Sequence, residues 1–258
     1  MKNTWKNFSK YRFLLMELVK KEIKLKYRRS YLGILWTLLE PILTTAVLAF
    51  FFGSIKENKD PQFPVYIMSG RLLYSFFSDS TKAAMKSIRT NSAMIKKVYV
   101  PKYIYPLSAI LSNYVIFLIS MIVLFLTAIL FKVEPTIYLL QIVLPMFLLL
   151  ILALGIGMML ATMAVFFRDL EYLWGVILML IMYTSAIFYK VSMLNLGHKA
   201  WMLKLNPLYV IIANFRCAVF GTPMSNMSLL LSAIYSFGSL IVGFLLFYRK
   251  QDKFILNI

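Results

Sequence analysis

Cysteine and histidine are almost missing from these 258 residues: each occurs once, as Cys217 and His198. One cysteine excludes an intrachain disulfide and a cysteine metal cluster. One histidine cannot build a zinc site by itself, and no Ser-His-Asp or metal-hydrolase arrangement can be drawn with it. No metal site and no catalytic residue is therefore expected. Acidic residues are scarce too, 10 Asp and Glu against 28 Lys and Arg. The phosphate-cradling pattern GxxxxGK followed by Ser or Thr does not occur, and neither does the dinucleotide pattern GxGxxG. The chain is expected to hold no cofactor of its own, and any use of ATP is borrowed from another subunit. Such a protein moves something rather than transforms it.

What is abundant is apolar surface. At 61% hydrophobic and 15% charged residues, the chain has more than one soluble core of its size would hide, so it reads as an all-α integral membrane protein. The basic excess suggests nucleic acid at first sight. Most of the cations, however, sit between apolar runs, where the excess of positive charge on the cytoplasmic side of a bilayer explains them, and no nucleic acid is expected.

The organising stretch runs from Lys26 to Gly53, where a basic segment meets an apolar run with one formal charge, Glu40. At about 1.5 Å of rise per residue the run covers the hydrocarbon core of ~30 Å, and the basic leader before it argues against a cleaved signal. Before it, Leu14, Leu18 and Leu25 share one stripe, with Val19 and Ile23 beside it and lysines on the rest. This suits an amphipathic helix in the headgroup plane, with an ordinary basic flank as the other reading. Glu17 with Lys21 and Glu22 with Lys26 are expected to pair across one turn.

Five further crossings are expected at 64–80, 105–131, 137–167, 172–189 and 228–248. The second carries Arg71 and Asp79, so it faces the bundle interior or a wet cavity, unless both charges snorkel to opposite interfaces. Pro145 is placed to bend the fourth, and Ala153, Gly157 and Ala161, four apart, flatten one face for close helix contact. The loop 81–102 holds six cations and no acid, so it is expected in the cytoplasm, with a short helix beginning near Asn91 or Ser92 and stopping before Pro101. Between 190 and 227, Asn206-Pro207 and Gly221 cut the chain into pieces too short to cross, which lie in the outer interface or dip in and return. Inner segments then hold about 20 Lys and Arg and outer ones about seven, with both termini in the cytosol. The organisation is an interface segment 1–32, a six-span domain 33–248 and a cytoplasmic tail 249–258.

Four stretches carry a resemblance: KYRRSYLGILWTLLEPIL at 26–43, IKKVYVPKYIYPLS at 95–108, FFRDLEYLWGVIL at 166–178 and NPLYVII at 206–212. Together they resemble the permease subunits of bacterial ABC exporters for lipid-linked polysaccharides, such as O-antigen and teichoic-acid permeases. One departure is SAIFY at 185–189, where such permeases commonly carry a proline before the isoleucine. The resemblance implies an inner-membrane homodimer with two ATPase subunits that bind ATP and Mg, and a substrate path between the two permeases. It implies an N-terminal interface helix, a coupling helix at 91–100 and outer re-entrant pieces at 199–221. Asn91, Ser92, Met94, Ile95, Lys96, Lys97, Tyr99 and Pro101 then fall at the ATPase contact, and Tyr27, Arg28, Arg29, Leu32 and Gly33 at the entrance, Leu32-Gly33 being the turn into the first span.

Chemistry adds reasons. The pyrophosphate of a polyprenyl-linked glycan pairs with cations at headgroup level, bidentately with Arg, which points to Arg28 and Arg29; setting topology is their other role. Aromatic faces pack on sugar C–H groups, so Trp36, Tyr183, Phe188 and Tyr189 are path candidates, each with lipid-facing packing as its alternative. Glu40 and Arg71 complete the path set as an expected ion pair. Rival readings are a drug or small-lipid exporter, an ion-coupled carrier, for which no internal repeat is visible, and a polyprenyl-phosphate transferase resting on Asp169 and Glu171.

Overall fold

The computed structural model describes residues 2–28, 30–53, 60–98, 100–191 and 197–254. Among these every regular element is helical, as long apolar runs demand, because a backbone in lipid must satisfy its own N–H and C=O groups. The α-helices are α1 (Lys2–Tyr27), α2 (Trp36–Gly53), α3 (Phe63–Thr90), α4 (Ser92–Lys97), α5 (Ile104–Leu130), α6 (Val143–Phe166), α7 (Leu170–Thr184), α8 (Pro207–Val219) and α9 (Asn226–Lys250). Among the described residues, four stretches are long and apolar enough to cross a bilayer: Gly33–Phe51, Ile104–Leu130, Ile137–Phe166 and Asn226–Lys253.

Helix α3 is longer than expected. The stretch 81–90, read from its charges as loop, continues the helix to Thr90, because it holds no Gly or Pro and buries Thr81, Ala84, Met85, Ser87 and Ile88. Its first two thirds supply much of the core, Leu73, Phe76 and Phe77 among them, as expected for a helix whose polarity forbids a lipid-facing position. Helix α7 is shorter than expected, ending at Thr184 instead of 189. The chain turns there, with Ala186 in the left-handed region at φ 50°. At 13 residues, α8 rises only about 20 Å and cannot cross. Pro145 sits where a 3-10 turn, Ile137–Ile142, gives way to α6, since a ring at that position cannot donate to the preceding turn.

Two stripes of small residues let α6 lie close to its neighbours. A Cβ on Gly157 would press on Ile110 of α5 and Ala84 of α3, so the face of Ala153, Gly157 and Ala161 meets those two helices. Gly155, on another face, lies directly against Gly243 of α9, and a Cβ on either would collide with the facing backbone. Helix α1 is rotated from the expected stripe: Leu15 and Leu18 are buried, whereas Leu25 is exposed. The reason is polar. Glu22, in the row of Leu15 and Leu18, accepts hydrogen bonds from Ser112 at 2.7 Å and Ser108 at 3.1 Å on α5. Neither expected i,i+4 pair forms; Glu17 pairs with Lys20 and Lys26 with Asp79.

Candidate functional site

The expected ATPase contact is a corner at the end of α3. Asn91 stops α3, donating through its side chain to Ser87 O at 2.9 Å, and its carbonyl accepts from the N–H groups of Met94 and Ile95 that open α4. Stalk and short helix are therefore joined without slack. The helix covers Ser92–Lys97, inside the expected 91–100. Ile95 is its buried anchor and Met94 packs beside it, in a second core formed with Leu15 and Leu18 of α1, Ile104 and Tyr105 of α5, and Phe254. Ala93, Lys96, Lys97 and Val98 face outward. Pro101 is half-buried and its carbonyl accepts from Ile104 N, which starts α5. Tyr99 lies outside the described residues.

At the expected entrance, the end of α1 meets α3 and α5. Lys26 Nζ lies 3.4 Å from both Asp79 Oδ2 and Asn113 Oδ1. Beside it Tyr27 is half-buried, and burial, reinforced by the carboxylates of Glu40 and Asp79, pushes its phenol up to about 12. Arg28 is exposed and lines a groove with Lys20 and Lys24, whereas Arg29 lies outside the described residues. Leu32 is exposed, and Gly33 turns the chain into α2 at φ 49° with open space around it. Its backbone, not crowding, asks for glycine.

Two of the path candidates share a cavity and three others lie around the end of α7. Glu40 and Arg71 line the same cavity of about 60 Å³ with Tyr27, Lys26 and Asp79, yet they form no ion pair. Arg71 instead points Nη1 at Met182 Sδ, 3.8 Å away, and lies over the Tyr74 ring. Next to Met182, the rings of Tyr183 and Phe188 are 6.4 Å apart and Tyr189 Oη donates to Tyr183 O at 2.7 Å. Of these rings Phe188 is buried and Tyr183 exposed, while Trp36 is exposed one turn before Glu40 on α2.

The turn after α7 is held by residues that pattern reading passed over. Arg216 of α8 is buried and donates to Ala186 O at 2.9 Å, Tyr66 O at 3.0 Å, and more weakly to Ile187 O and Ser69 Oγ. Its guanidinium also lies 3.5 Å from the centroid of the Tyr66 ring. A buried cation with no ion-paired carboxylate among the described residues is tolerable only when carbonyls and a ring face replace water this completely. Asn206 accepts from Leu208 N and Tyr209 N as the cap of α8, and donates to Ile181 O and Thr184 Oγ1 of α7 and to Ser185 Oγ just after it.

Residues 14–220 match the model of the ABC-2 type transporter family. The chain belongs to this family. Among similar proteins, the O-antigen export system permease protein RfbA of Myxococcus xanthus is 28% identical over 207 residues, 80% of each chain. A protein of the same name from Klebsiella pneumoniae is 25% identical over 242 residues, 93% of each. The polysialic acid transport protein KpsM of Escherichia coli is 24% identical over 246 residues, 91% of this chain and 92% of its own.

In this ABC-2 chain the missed residues had signals. Asn-Pro before an apolar run is a cap with proline in the first turn, not only a break. Arg216 is the lone cation of a 13-residue apolar helix, in its last turn, where a cation can bond the free carbonyls of a helix end or of a neighbour. Glu171 opens α7 with an acid, which suits the positive end of a helix.

Proposed function

We propose that this chain is the permease subunit of an ATP-driven exporter of a lipid-linked polysaccharide, working as a homodimer with two copies of a separate ATPase subunit that binds ATP and Mg. Six crossings, α2, α3, α5, the run ending in α6, α7 lengthened by the turn that follows it to Tyr189, and α9, would put both termini in the cytosol of a bacterial inner membrane, with α8 as an outer re-entrant piece. The observation that carries the reading is the α3–α4 corner. A short basic helix with one buried anchor and an exposed lysine pair, fixed on a rigid stalk, is what an ATPase can grip and push. Polysaccharide as cargo is supported by the likeness to O-antigen and polysialic acid transport proteins.

The exposed faces of α2 and α7 support a path between two copies. The cavity at Glu40 and Arg71, about 60 Å³, has room for a few water molecules and not for a sugar ring, so rings such as Trp36 and Tyr183 would serve a glycan from those open faces. Arg28 with Tyr27 at the turn into α2 would take the carrier's pyrophosphate.

Depleting the chain should build up a polyprenyl-linked glycan on the cytosolic leaflet, read by lipid extraction and mass spectrometry. Changing Lys96 and Lys97 to Glu should cut co-purification of the ATPase subunit at least fivefold. Depletion that leaves the lipid-linked pool and the surface glycan unchanged would refute the reading.

A further inference from the structure

Helix α7 is fastened to α3 along one seam, with Asn206 holding its far end. Of its residues only Leu170, Trp174 and Leu178, four apart, are buried, and three polar links follow the same line down α3. Tyr74 Oη donates to Leu178 O at 3.0 Å, and Trp174 Nε1 donates to Thr81 Oγ1 at 3.0 Å. At the α4 end, Glu171 accepts an ion pair from Arg89 and a second from Lys86 at 3.3 Å. Arg89 is two residues from Asn91, the shared corner of α3 and α4. The last link of the seam is thus the one nearest the presumed push.

We infer that Glu171 is a positioning residue, the strut through which displacement of α4 reaches α7. The inference rests on the reading that α4 docks on an ATPase. Glu171 keeps 28% of its side-chain exposure and Lys86 keeps 57%, so water screens the pairs and the fold does not depend on them. What they fix is direction. Two cations one turn apart on α3 hold one carboxylate between them, so α7 cannot slide along α3 without parting a pair. Uncharged residues here would leave the deeper links at Thr81 and Tyr74 intact and α7 in place, while freeing its first turn from the stalk.

The test uses the full chain with its ATPase subunit. Cells carrying Glu171→Gln should show surface polysaccharide reduced at least tenfold, while the purified complex keeps its subunit ratio and hydrolyses ATP within twofold of the unmodified complex in vesicles of total bacterial lipid. Arg89→Gln, approaching the pair from α3, should do the same, and the swap Glu171→Arg with Arg89→Glu should recover at least a third of the surface polysaccharide. Normal export by Glu171→Gln, a swap no better than either single change, loss of the ATPase subunit from the complex, or failure of both single variants to accumulate would each overturn the assignment. The docking reading is judged separately by Lys96→Glu with Lys97→Glu: if those leave the ATPase bound while Glu171→Gln still abolishes export, the docking contact is misplaced and α4 is not what moves, and only the coupling of α3 to α7 through Glu171 stands.

Discussion

The α4 end and the α8 end of this bundle are held together by different physics. Around α4, aliphatic and aromatic side chains from α1, α4, α5, α6, α9 and the Phe254 segment meet in one cluster, with Phe247 and Phe254 edge to face at 5.2 Å. Around α8, Arg216 and Asn206 tie three separate segments by hydrogen bonds of fixed direction. Apolar contact is non-directional and survives a small slide, whereas a guanidinium shared among three carbonyls does not. The end that would receive an ATPase's push can therefore shift, and the end that would shape the exit of the path is fixed in register.

The largest effect expected from this contrast is at Arg216. Arg216→Met keeps length and loses four donated bonds, so that Tyr66 O keeps only the Ser69 hydroxyl and Ala186 O only the longer bond from Tyr66 Oη outside the helical ladder, which costs about 3 kcal/mol in total. Phe254→Leu, in the α4 cluster, removes contacts but leaves an apolar group of similar reach and costs about 1 kcal/mol. Thermal unfolding in detergent compares the two; equal costs would end the distinction. The next effect is at Ala186, whose φ of 50° a proline ring cannot adopt. Ala186→Pro should cost about 3 kcal/mol, although a proline is common at this place in the permeases the sequence resembles. The bend after α7 is present without it because Ala186 takes the left-handed region and Arg216 holds its carbonyl.

Much of this was legible in the chain itself. Long apolar runs gave α2, α5, α6 and α9, and Asn91 before a basic stretch gave α4, because membrane thickness and breaker residues act locally. The length of α3 was not, since burial of Ala84, Met85 and Ile88 outweighs the charges of Lys82, Lys86 and Arg89 around them, and that burial depends on helices distant in sequence. The site was legible in part: Glu40 and Arg71 reach one cavity, but their pairing was inferred from opposite charge alone and the geometry gives Arg71 to Met182 and Tyr74. Arg216 and Asn206 escaped because their partners, backbone carbonyls and N–H groups of other segments, leave no mark in a sequence.

The smallest expected effect bears on a directed contact at the α4 end, the bonds that Glu22 accepts from Ser108 and Ser112. Burial pushes the Glu22 carboxyl up from its ordinary 4.5, against the hydrogen bonds of Ser112 and Ser108 and the nearby charge of Lys21. A carboxyl raised on folding binds its proton more tightly in the folded chain. Its contribution is therefore largest below about pH 4.5 and declines as pH rises through the raised value. Glu22→Gln keeps an acceptor oxygen and removes the desolvated charge, and each serine has a second acceptor one turn back, Tyr105 O or Ala109 O. The variant should be as stable as the unmodified chain near pH 7 to within about 1 kcal/mol, with a flatter dependence on pH in thermal unfolding. A loss above 2 kcal/mol would show α1 held in one register by this contact, and the α4 end would then be as rigid as the α8 end.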